Sequence, residues 1–119
     1  MVSGSLLATE GETTLYRAVS DDELADVAAQ GFRAGRNTME TKLFATSAED
    51  AARFGRNNFN RFDQKPFTLL EVRVPDNVAS LLYRGKADSM ATRGLNPEHF
   101  GAFNQAARVR QLNSIPTGP

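Results

Sequence analysis

The stretch KLFATSAEDAARFG, Lys42 to Gly55, decides how this chain is read. Its opening residues are a short strand that runs directly into a helix. Ser47 is the N-cap, because its hydroxyl can accept from a free amide of the first turn. Gly55 stands just past the helix end, where glycine commonly terminates one. Ala51, Ala52 and Phe54 point inward. Capping accounts for Ser47 but leaves Phe44 and Thr46 without a reason. A strand end meeting a helix N-terminus also offers N–H groups and hydroxyls to a ligand, so a cap and a binding site are compatible here.

Upstream, TTLYRAV, Thr13 to Val19, alternates as a strand with Leu15, Arg17 and Val19 on one face. Ser20 then caps a helix, Glu23 completes a capping box, and Asp21 and Asp22 suit the positive end of the dipole. Leu24, Val27 and Ala28 form its apolar stripe and Gly31 ends it. Residues 1–12 are small and polar and read as a linker, leaving 13–119 as one domain.

Downstream, GRNNFNRFDQKP reads as a polar loop. FTLLEVRV, Phe67 to Val74, is the clearest strand, with Leu70, Val72 and Val74 on one face and Glu71 and Arg73 on the other. Pro75-Asp76-Asn77 is a turn. Residues 78–95 are ambiguous and read as a short helix and a weak strand. Asn96-Pro97 opens a helix carrying Phe100, Phe103 and Ala107, and ARVRQLNSI is a last strand. This order of elements gives the α+β class, with a split antiparallel sheet.

Composition narrows the chemistry. The 119 residues fit one domain able to bury its own core. With no cysteine, disulfides and thiolate chemistry are excluded, and His99 is the only histidine. The 14 basic and 14 acidic residues cancel, which argues against strong non-specific nucleic-acid binding. No apolar run is long enough to span a bilayer, and the first residues lack the pattern of a signal peptide.

Arg17 is the anomaly, since its strand face is the apolar one. A guanidinium there needs an anionic or carbonyl partner. An internal ion pair supplies one; so does a ligand diphosphate, which fits the planar fork. Glu98 sits in the first turn of a helix, where an acid is favourable anyway. Glu71, beside Arg73, suits a solvated pair on the strand's second face.

Together, LYRAVSDDELADVAAQGFR, KLFATSAEDAARFG, LLEVRVP and LNPEHFGAFN resemble small ADP-ribosyltransferase-like domains. Such domains stand at the C-termini of bacterial polymorphic toxins, including contact-dependent inhibition and Rhs-type effectors. The resemblance runs from about Thr14 to Ile115. It implies an ADP-ribosyltransferase-like fold and an enzyme that cleaves NAD between nicotinamide and ribose, then passes ADP-ribose to an acceptor or to water. It further implies Arg17, Ser47 and Glu98 as catalytic residues, with Glu71 as the other candidate acid. Ala45-Thr46-Ser47 stands at the family's Ser-Thr-Ser position. Tyr16, Arg17, Phe44, Thr46 and Ser47 are then the NAD-binding residues, Tyr16 or Phe44 stacking on nicotinamide, with no metal required. Arg17 and Ser47 are expected side by side across one cleft. A cognate immunity protein, a macromolecular acceptor and delivery into a target-cell cytoplasm follow from the same resemblance. An RNA-cleaving toxin built on His99, Glu98 and an arginine, and a non-catalytic interaction domain such as an immunity protein, are the alternatives.

Overall fold

The structure, a computed structural model, describes residues 11–33, 41–60, 66–87 and 89–112. Among them six strands form one antiparallel sheet: β1 (Glu12–Val19), β2 (Lys42–Ala45), β3 (Thr68–Pro75), β4 (Tyr83–Ala87), β5 (Met90–Leu95) and β6 (Arg108–Leu112). Their spatial order is β4-β5-β2-β1-β3-β6. The helices are α1 (Asp21–Gln30), α2 (Ala48–Gly55), α3 (Asp76–Ala79) and α4 (Phe100–Ala106). A π-helical turn follows α2 at Arg56–Asn60, and a 3-10 turn at Pro97–His99 precedes α4. The mixed α+β class expected from the sequence is the class found. No helix among the described residues is long and apolar enough to cross a membrane.

The alternation of β1 and β3 sorts the core onto two faces. Leu15, Val19, Leu70, Val72 and Val74 join Phe32, Phe44, Leu95 and Phe103 on the face covered by α1, α3 and α4. Three of these rings interlock, with centroids 5.3 Å (Phe32–Phe44), 5.7 Å (Phe32–Phe103) and 5.4 Å (Phe44–Phe103) apart. The opposite face packs Ala18, Ala45, Leu69 and Met90 under Ala51 and Ala52 of α2, with Phe67. Each large apolar side chain fully buried contributes about 1.5–3 kcal/mol. The aromatic and leucine-rich face therefore supplies most of the burial energy, and the alanine-rich face lets α2 approach closely.

The sheet is not uniformly joined. β1 pairs with β3 along its whole length, from Glu12↔Pro75 to Val19↔Thr68. β1 and β2 meet at Tyr16↔Ala45 alone. The sheet forks there, and the fork positions the site.

Several local expectations change. β1 begins at Glu12, whose carboxylate pairs with Arg108, so the first strand starts one residue before Thr13; residues 1–10 lie outside the described residues. Gly55 does not stop its helix: it is the last residue of α2 and the chain continues into the π-helical turn. A Cβ at Gly55 would lie 2.3 Å from the Phe67 ring, so the glycine is there for close packing. Pro75-Asp76-Asn77 leads into α3 rather than forming a simple turn. The ambiguous segment 78–95 holds α3's end and the β4–β5 hairpin.

Candidate functional site

Arg17 stands at the fork, on the face of Leu15 and Val19. Its Nε and Nη2 donate to the Glu23 carboxylate at 2.6 and 3.0 Å, and its Nη1 donates to the Leu43 carbonyl at 2.7 Å. Where β1 and β2 stop pairing, the guanidinium takes over a carbonyl that a strand amide would otherwise satisfy. Both side chains are about one-fifth exposed, and the Phe44 ring centroid lies 6.0 Å from the guanidinium carbon. A two-pronged carboxylate contact and a carbonyl bond are what a charge so far from water needs. The internal ion pair is thus the partner that forms.

Glu23 owes its place to α1. Ser20 caps the helix by accepting from the Glu23 amide at 3.2 Å. The reciprocal half of the expected capping box is replaced, because the Glu23 carboxylate turns to Arg17. Gly31 closes α1 with a positive φ of 76°, its N–H donating to the Val27 carbonyl. Its missing side chain also admits Asn104, which clasps the Phe32 amide and carbonyl at 2.9 and 2.8 Å.

A cavity of about 40 Å³ opens at the fork. Tyr16, Arg17 and Phe44 line it, together with Ala45, Ala51, Phe54, Met90 and Thr92 among others. Three of the residues expected to bind NAD are therefore brought together. Phe44 is fully buried in the aromatic cluster, so its ring is core as well as wall. Thr92, buried on β5 opposite Ala45, was not anticipated. The segment 78–95 was expected to hold only a weak strand of unspecified position, so nothing in the sequence pattern singled out Thr92.

Thr46, Ser47 and Glu98 do not line this cavity. Thr46 is exposed. Ser47 accepts from the Asp50 amide at 3.1 Å and caps α2 as expected. Ser47 thus caps the helix whose Ala51 and Phe54 line the cavity, whereas Arg17 is held by Glu23 of α1; Ser47 is not itself among the lining residues. Glu98 follows β5 in the 3-10 turn, 76% exposed, with His99 at 3.8 Å. Glu71 lies directly across from Tyr16 on β3. It is buried between Arg110, at 2.7 Å, and Arg73, at 3.3 Å. The hydrogen bond from Arg110, reinforced by both positive charges, holds its carboxyl below the usual glutamate range despite burial.

No described residues cluster as a set of three or more metal ligands. No protein-family model matches the chain, and no curated protein is found to be similar to it.

Proposed function

We propose that this domain is an NAD-cleaving ADP-ribosyltransferase or NAD glycohydrolase of the toxin type. The observation that carries the reading is the fork: an arginine on the first strand stands at the opening between β1 and β2, in a cavity lined by Tyr16 and Phe44. In the proposed reaction the bond between nicotinamide and the ribose carbon breaks, and nicotinamide leaves with the electron pair. The acceptor, a macromolecule or water, adds to that carbon and releases its proton. A carboxylate steadies the positive charge developing on the ribose. Glu98 and Glu71 are the candidates, and Glu71 is the one in register with a cavity residue. Small-molecule sites usually offer about 300–1,000 Å³. NAD binding at this cavity of about 40 Å³ therefore requires β1 and β2 to part, Arg17 exchanging a protein partner for the diphosphate.

A second reading rests on the Arg17 contacts themselves. Three of its donors are engaged within the protein, and among the described residues no carboxylate lines the cavity. That arrangement also suits a non-catalytic interaction domain in which Arg17 is purely structural.

Nicotinamide release from NAD, measured with the purified domain alone and with a cell extract as acceptor source, separates the two. The catalytic reading expects turnover that Arg17→Gln abolishes and Glu23→Gln retains, since a freed guanidinium still meets the diphosphate. Melting temperatures recorded alongside distinguish loss of function from unfolding. Folded wild-type protein that releases no nicotinamide under any acceptor condition overturns the enzyme reading in favour of the second.

A further inference from the structure

Arg84 on β4 and Arg93 on β5 occupy directly opposed positions of the hairpin. Arg93 is in turn opposite Phe44 of β2, which sets the pair on the face covered by α3. Like charges so opposed destabilise a sheet. An edge strand such as β4 gains from a charge that discourages pairing with another chain, which accounts for Arg84. It does not account for Arg93, half-buried on an interior strand. Arg93 donates through Nη1 to the Ala79 carbonyl at 3.0 Å. That leaves most of its five donors for other use. Arg84 makes no hydrogen bond or ion pair among the described residues.

Both arginines line one cavity of about 380 Å³, with Thr13, Asp76, Ala79, Ser80 and Leu82. Among the described residues Asp76 is its only carboxylate, and Thr13 donates to it at 2.8 Å. Two guanidiniums thus face one acid in a space within the usual range for a small ligand. We propose that this cavity binds a phosphorylated small molecule, its phosphoryl oxygens held between Arg84 and Arg93. A doubly charged, multiply accepting group relieves the repulsion between the arginines and uses their open donors together. The Ser80 hydroxyl, at present donating to the Asn77 carbonyl at 2.8 Å, stands at the same wall. This inference does not depend on NAD cleavage, because it concerns neither the fork nor Arg17.

Titration calorimetry of the whole chain at fixed ionic strength tests it, with pyrophosphate, inorganic phosphate and acetate as separate probes. Pyrophosphate or phosphate should bind, and Arg84→Gln and Arg93→Gln should each weaken binding by about tenfold or more. Arg108→Gln removes the same charge on the opposite face and should leave binding unchanged. Arg84 is exposed, so its variant decides the matter if Arg93→Gln fails to fold. Absence of phosphate binding, equal loss in Arg108→Gln, or full retention in Arg84→Gln overturns the proposal. Acetate binding as tightly as pyrophosphate overturns the phosphoryl assignment.

Discussion

Glu71 shows how one carboxylate can tie two strands together. It sits on β3, opposite Tyr16 of β1 and Arg110 of β6, and accepts from Arg110 while contacting Arg73. Its carboxyl titrates below the ordinary value of 4.5 when folded. Between the two values the unfolded chain binds more protons, so stability rises with pH there. The contribution is complete above about pH 4.5 and is lost as pH falls through the depressed folded value. Denaturant midpoints measured across the acid range should therefore fall less steeply in Glu71→Gln and in Arg110→Gln than in the wild type. A wild-type slope in both variants would deny Glu71 this role. At this scale the sequence was partly informative. The parity of Arg17 announced that it needed a partner. The partner's identity was hidden because Glu23 already had a local explanation in the helix cap.

Helix ends and hairpins mark where element-level reading held and where it failed. Ser20 and Ser47 were recognisable because N-capping is decided within one turn of chain. The β4–β5 hairpin was not, because YRGKA and MATRGL mix glycine with charge and show no clean alternation. What anchors β5 in the sheet, and β4 through it, is the pairing of β5 with β2, which no local window contains. Gly55 misled in the opposite sense, suggesting a helix stop when its function is to admit Phe67. Gly55→Ala should accordingly destabilise the domain by about 1–3 kcal/mol, the usual range for overpacking a core, although alanine is the better helix former. Urea unfolding gives the value. Unchanged or increased stability would mean that Phe67 moves aside freely.

Over the whole molecule, the fork divides the sheet into a β1–β3–β6 set and a β4–β5–β2 set, joined at Tyr16↔Ala45 and by the Arg17 guanidinium. The order of elements gave the expectation of a split antiparallel sheet; the structure has one six-stranded antiparallel sheet whose thinnest join is between β1 and β2, a pairing no local pattern discloses. The β2 edge at the fork has few ties of its own, so it should act as a seam along which the native state comes apart before it melts. Cooperative units of this kind exchange their amide protons at different free energies. Leu70 and Val72, deep in the fully laddered set, should exchange only on global unfolding, and amides of β2 should exchange through a lower-energy opening. Glu23→Gln should raise exchange in β2 far more than in β3. Equal protection on both sides would mean that one guanidinium welds the halves as firmly as a full ladder of peptide bonds. With unequal protection, any partner gripping both halves would slow β2 exchange without adding a single bond within β3, and so would act on this protein as a clasp.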